Sequence, residues 1–153
     1  MEKQSIEQRV QALEDKEAIK DVTHQYALYI NQGRNNMKIN PEAFLEVFTK
    51  NAVWESTSMG IREEGLENIT KSFIIETQTV LFAMHSYSNP VIKINGSSAT
   101  GNWLFWVTSK FKKDTTNQVF MSQDINYIKT EYGWRIQHIT LHFGDIVKHK
   151  SQY

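Results

Sequence analysis

Asn95-Gly96 constrains this chain more than any other pair of residues. It separates two long runs, HSYSNPVIKI and SATGNWLFWVTSKF, both rich in β-branched and aromatic side chains. An Asn-Gly pair between such runs is a strong hairpin signal, because both residues accept the positive φ that a tight turn demands. From Ala83 onward helix signals fade. The spacing predicts strands at about 84–94, 97–112, 117–130 and 133–146, with Gly133 at the last turn. A further short strand is expected over Asn51 to Ser56.

The first third has a different period. Ile6, Val10, Leu13, Ile19, Val22, Tyr26 and Ile30 recur at three- and four-residue steps with one slip near Lys16. That predicts one long amphipathic helix or two nearly collinear ones. Ser5 can cap its start with Gln8 in the capping-box position, and Gly33 can end it. Pro41 suits the first turn of a second helix, with Asn40 as its cap and Phe44, Leu45, Val47 and Phe48 as its buried face. A loop through Gly60 and Gly65 leads to a third helix at about Leu66 to Gln78. Helices first and a meander of long strands last predict a single α+β domain over residues 1–153, three helices packed on a strongly curved, mainly antiparallel sheet.

Composition narrows the function classes. Lys+Arg and Asp+Glu both number 17, so the formal net charge is zero and nothing favours nucleic acid or an anionic membrane. With no cysteine, thiolate chemistry and cysteine-ligated metals are excluded. The N-terminus is charged and amphipathic, without the apolar run of a secretion signal, and no stretch is long enough to span a bilayer. A cytoplasmic protein is the expectation. There is no HExxH cluster, phosphate loop, GxSxG elbow or nucleotide fingerprint, so neither metal nor cofactor is expected. His138 and His142 lie on one side of a strand but about 13 Å apart, too far for one metal.

Four segments in order, ALEDKEAIKDVTHQYALYINQGR, FTKNAVWES, HSYSNPVIKINGSSATGNW and YGWRIQHITL, resemble the SnoaL-like branch of the cone-shaped nuclear transport factor 2-like superfamily. The resemblance runs over nearly the whole chain and implies the cystatin-like cone. That fold hosts isomerases, dehydratases, cyclases, dioxygenase small subunits and non-catalytic proteins. Members similar at these motifs include scytalone dehydratase and bile-acid 7-alpha-dehydratase. The resemblance implies that His85 acts as general base and that Tyr26 polarises the substrate. At the position of the carboxylate that supports the base, this chain has Asn31. An amide can fix the imidazole tautomer but cannot stabilise imidazolium by charge.

Each candidate has two readings. His85 is either a proton shuttle or a hydrogen-bonded histidine at the cavity rim. Tyr26 is either a polarising hydroxyl or a core aromatic, and Asn31 either a partner of His85 or a tolerated helix-end residue. Asp124, mid-strand where carboxylates are scarce, is either an acid or polar anchor inside the cavity or a solvent-facing charge. Glu55 offers the same choice. Ala99, Gly101, Trp103, Phe105 and Val107 are expected to line the cone, the two small residues letting a helix approach, while Leu104 and Trp106 form the face of a homodimer. Trp54, Trp103 and Phe105, with Phe82, would supply substrate-binding area. Two function classes follow. One is a cofactor-independent lyase or isomerase, dehydratase-like, acting on an apolar or polycyclic molecule in the cone. The other is a ligand-binding or structural dimer without chemistry; a dioxygenase small-subunit-like protein is a third, weaker possibility.

Overall fold

The computed structural model describes residues 5–113 and 115–150, so the outer limits of the expected domain lie outside the described residues. A 24-residue helix α1 (Ile6–Tyr29) opens the chain. Its capping box is formed: Ser5 Oγ accepts from the Gln8 N–H, and Gln8 Oε1 accepts from the Ser5 N–H. The helix is continuous through the slip near Lys16, but only its second half is covered. Ile6, Val10 and Leu13 are exposed, while Ile19, Val22, Tyr26 and Ala27 are buried. The second helix is a 3-10 helix, Pro41–Glu46, and Asn40 makes no side-chain cap. The third is α2 (Leu66–Thr77).

The sheet has six strands: β1 (Phe48–Ser56), β2 (Ile61–Glu64), β3 (Val80–Asn95), β4 (Ser98–Phe111), β5 (Thr115–Thr130) and β6 (Gly133–Lys150). Strand β2 falls where the sequence predicts a loop. The spatial order is β2-β1-β6-β5-β4-β3, and every pairing is antiparallel except β1 with β6. Gly96 and Gly133 turn with φ of 59° and 94°, as the hairpin signals require. Bulges bend the long strands. In β3 the register slips between Ser88 and Val91, around Asn89 at φ 50° and Pro90, which has no N–H to give the ladder. Strand β3 is an edge strand, where a proline is tolerated.

The three helices cover the concave side of this α+β cone. Ala99, Trp103, Phe105, Gln123, Ile125, Tyr127, Ile136, Ile139 and Leu141 point into the core from the sheet, and Leu104 and Trp106 point outward. The alternation along β4 is therefore as predicted. The reason for the small residue at Gly101 differs from the expectation. A Cβ there would lie 2.9 Å from Trp103 Nε1 and 3.1 Å from Tyr127 Cε2, so the space admits two ring side chains rather than a helix. Asp15 pins α1 to the sheet, accepting from Lys129 Nζ at 2.7 Å and Trp134 Nε1 at 2.9 Å. Burial pushes its carboxyl up, but these two partners hold it below the ordinary carboxylate value.

Candidate functional site

The end of α1 is fastened to β3 one residue beyond Asn31. The Gln32 N–H donates to the Ala83 carbonyl at 2.9 Å, and the Ala83 N–H donates back at 3.0 Å. This bridge puts the Asn31 amide against His85, two residues further along β3. Asn31 Oδ1 accepts the His85 backbone N–H at 2.8 Å and faces His85 Nδ1 at 3.1 Å.

Those two contacts fix the tautomer. A backbone N–H only donates, so the Asn31 atom before it must be the oxygen. An amide oxygen only accepts, so Nδ1 carries the ring proton and Nε2 keeps a free lone pair. Burial then pushes the imidazole pKa down to about 3, with no carboxylate on the ring to oppose it. His85 is thus neutral at physiological pH. The ring stacks on Phe105 with centroids 5.9 Å apart and planes 23° apart.

Tyr26 is fully buried, its ring edge-on to Phe48 at 5.0 Å, Phe44 at 6.1 Å and Phe73 at 6.4 Å. Burial pushes its phenol pKa up. Trp54 faces inward against Phe73 at 5.5 Å; its buried Nε1 lacks a well-aligned acceptor, and the Tyr26 hydroxyl is its polar neighbour. Phe105 packs on Tyr87 at 4.7 Å. Trp103 is committed elsewhere: its Nε1 donates to the Tyr127 hydroxyl at 3.0 Å, which lies 2.7 Å from Thr23 Oγ1. Phe82 is only half-buried, beside Gly33.

Asp124 does not join this group. Its side chain lies on the outer face, exposed, accepting from Asn102 Nδ2 at 2.7 Å and paired with His142 Nε2 at 2.8 Å. Strand alternation explains the placement. Gln123 and Ile125 take the inward positions, so the residue between them must point out. An Asp124 anchor inside the cone is therefore excluded. Glu55 likewise pairs on the surface with Arg62 and with His138 at 2.8 Å. His138 and His142 each hold a carboxylate and no metal-ligating group forms among the described residues.

Two residues that sequence reasoning passed over complete the inward group. Tyr87, two positions after His85 and so on the same side of β3, donates its hydroxyl to Gln123 Oε1 at 2.8 Å. The period-two pattern alone would have found it. Gln123 is 1% exposed, and nothing in its sequence neighbourhood marks a buried amide.

The family model described as SnoaL-like domain matches residues 11–140. This chain belongs to that family. Solved structures agree on the nuclear transport factor 2-like cone. A candidate scytalone dehydratase of Novosphingobium aromaticivorans superposes with a TM-score of 0.78 at 13% identity, covering 92% of this chain and 91% of that one. The hexachlorocyclohexane dehydrochlorinase LinA-type3 from Novosphingobium barchaimii has a TM-score of 0.78 at 9% identity, covering 92% and 94%. A nuclear transport factor 2-like superfamily protein from Salmonella enterica has a TM-score of 0.76 at 16% identity, covering 88% and 94%. At these identities the likeness establishes the SnoaL-like fold alone. No curated protein matches the chain. No helix among the described residues is long and apolar enough to cross a membrane.

Proposed function

We propose that this SnoaL-like chain is a small cofactor-independent lyase or isomerase, dehydratase-like, that acts on an apolar cyclic molecule held in the cone. The observation that carries this reading is the double use of Asn31 Oδ1, which leaves His85 Nε2 unprotonated on the side away from Asn31. A neutral imidazole with a fixed lone pair is a general base at any physiological pH. Support for a recess comes from two residues. His85 and Tyr87 both keep accessible surface, yet protein atoms crowd them enough to shift both pKa values through burial. A group that is at once accessible and enclosed lines a concavity. The Tyr26 hydroxyl, harder to ionise than usual, would donate a hydrogen bond to a carbonyl without losing the proton, while the Tyr87 hydroxyl, whose proton goes to Gln123, would accept one. Trp54 and Phe105 would supply apolar contact. Scytalone dehydratases and hexachlorocyclohexane dehydrochlorinases are named for eliminations, and such names among structural neighbours fit a base-initiated step.

The test is His85→Ala, assayed for loss of water from cyclic hydroxy ketones. A fall of about a hundredfold or more with the fold intact is expected. Turnover that survives the substitution refutes His85 as the base.

One observation favours a second reading. The same burial that keeps His85 neutral makes it a weak base, and Asn31 supplies no charge to stabilise imidazolium. A ligand-binding protein without chemistry needs only the neutral ring, the tyrosine hydroxyls and the aromatic walls. Binding of apolar cyclic ketones with no turnover in the wild-type chain would select it. On the outer face, Leu104, Trp106 and Phe120 present a row of exposed apolar side chains on β4 and β5. We infer that a second copy of the chain covers it.

A further inference from the structure

Register and burial together give the inner face of the sheet a direction. Cross-strand pairing sorts its residues into rows. His85 lies level with Val107 and Val119, Tyr87 with Phe105 and Met121, and Trp103 with Gln123 and, on β6, Leu141. In the first two rows His85, Val107, Val119, Tyr87 and Met121 all keep accessible surface. In the third, Trp103 and Gln123 are 1% exposed and Leu141 5%. The concavity is thus open at His85 and closed at Gln123. Along β5 the two ends are Val119 and Gln123, about 13 Å of strand apart. One aromatic wall joins them: His85 stacks on Phe105, which packs on Tyr87 at 4.7 Å, and Tyr87 meets Trp103 at 5.8 Å.

A glutamine at the closed end carries more hydrogen-bonding capacity than the protein uses. Its Oε1 accepts the Tyr87 hydroxyl proton at 2.8 Å, and its amide nitrogen has no acceptor among the described residues. The unpartnered polar side-chain atoms that are sealed from solvent there are Thr49 Oγ1 and Trp54 Nε1. Gln123 Nε2 is not one of them, so the trace of surface that Gln123 keeps includes this nitrogen. Buried donors are nearly always paired, and an unpaired one that still borders open space marks where a ligand atom belongs. Beside it, the Tyr87 oxygen has given its proton to Gln123 and keeps lone pairs to accept one. A donor and an acceptor side by side complement a hydroxyl, which accepts and donates at once. A carbonyl or an ether only accepts, and a hydrocarbon edge does neither. Turning the amide over leaves the same complement, with the Tyr87 O–H as donor and the Gln123 oxygen as acceptor.

We propose that Gln123 and Tyr87 form a hydroxyl-recognition subsite at the floor of the recess, so that the molecule taken up is a fused cyclic ketone with a hydroxyl on the end remote from His85. The proposal rests on the reading of the cone as the site of an apolar cyclic molecule, and it names the polar group that molecule carries. Side chains reaching inward from the first and third rows shorten the span of about 13 Å to the length of two or three fused rings. Gln123 touches no reacting atom in this arrangement. It sets which ring systems bind and which end of them faces His85. A site built to pair a hydroxyl rejects the analogue without one, because its own buried donor is then left unpaired.

The probes are 6-hydroxy-1-tetralone, its 6-methoxy analogue and 1-tetralone itself, with Kd measured by calorimetry at mildly acidic pH, where the phenol is neutral. Wild type, Q123M and Y87F are compared, with circular dichroism as the fold check. The wild-type chain should bind the hydroxy compound about tenfold or more tighter than the other two. Q123M should bring all three to within about twofold of one another, by weakening the hydroxy compound while leaving 1-tetralone unchanged. Y87F should lose part of the preference. Wild-type affinities that do not favour the hydroxyl, or a preference that survives Q123M, overturn the subsite. A preference that behaves as expected in a chain that dehydrates no hydroxy ketone overturns the lyase reading and leaves the subsite standing. A wild-type chain that binds none of the three overturns both. If Q123M fails to fold, proton–nitrogen NMR of the wild-type side-chain amides decides. A Gln123 amide resonance that shifts with saturating 6-hydroxy-1-tetralone and not with 1-tetralone supports the proposal, and one that treats the two alike overturns it.

Discussion

Asn31→Asp is the sharpest perturbation of this site, because it adds one charge and almost no volume. The replaced amide oxygen already sits 3.1 Å from His85 Nδ1 and accepts the His85 backbone N–H, and a carboxylate oxygen can keep both bonds. The charge centres would be about 4 Å apart, and at an effective dielectric of about 20 their attraction is about 4 kcal/mol. At 1.36 kcal/mol per unit this is about 3 pKa units, the upper end of what a neighbouring carboxylate does to a cation. His85 should therefore rise from about 3 in the wild-type chain toward the range of about 5 to 6. Nitrogen-15 NMR of the imidazole across pH reads this directly. It also reports the Nδ1–H tautomer at high pH. A His85 pKa that moves by less than about half a unit would mean that residues 31 and 85 are not in contact in solution. The same substitution should strengthen the base, so any elimination activity should rise with it.

Other expectations follow from the same geometry. His85 has a folded pKa below its ordinary 6.5, so the unfolded chain binds the extra proton: stability should be full above about pH 6.5 and decline toward pH 3, by a few kcal/mol at most, as read by urea midpoints. Asp15→Asn should cost about 1–3 kcal/mol at neutral pH by weakening the Lys129 and Trp134 contacts. Because the Asp15 pKa is lowered in the fold, that cost should vanish as pH falls through it, and a cost independent of pH would contradict the pairing. Gly101→Ala should destabilise by about 1–3 kcal/mol, seen as a lower Tm, since the new methyl meets two buried rings. Trp106→Glu should convert a dimer to monomer in light scattering at micromolar concentration; wild-type chain already monomeric there would remove the interface.

Much of this arrangement was legible in the residues. The Asn95-Gly96 and Gly133 turns, the alternation of β4 and the capped start of α1 are local signals, and local chemistry decides them. Asn31 and His85 could be paired only through family resemblance, because 54 positions separate them and the contact depends on the Gln32–Ala83 bridge. Strand β2 carries no such signal, because a four-residue edge strand with three charged residues after Ile61 has no apolar period. Asp124 was misplaced because scarcity of carboxylates in strands says nothing about which face an individual one occupies. The inward neighbours Gln123 and Ile125 decide that.

The parallel pairing of β1 with β6 has a consequence for the order in which the molecule assembles. Strands β3 to β6 follow one another as hairpins and can zip from their turns, whereas β1 must wait for a strand that begins at Gly133. Asp15 waits with it, since its anchors are 114 and 119 positions away. Loop-closure entropy places such contacts late. The meander should form as an open sheet first, and α1 with Asn31 should dock onto His85 only when the last strand arrives. The contact of Asn31 with His85 is then the last part of the fold to form and the first to come undone. Pulse-labelling hydrogen exchange that found β1 amides protected before those of β4 and β5 would reverse this order.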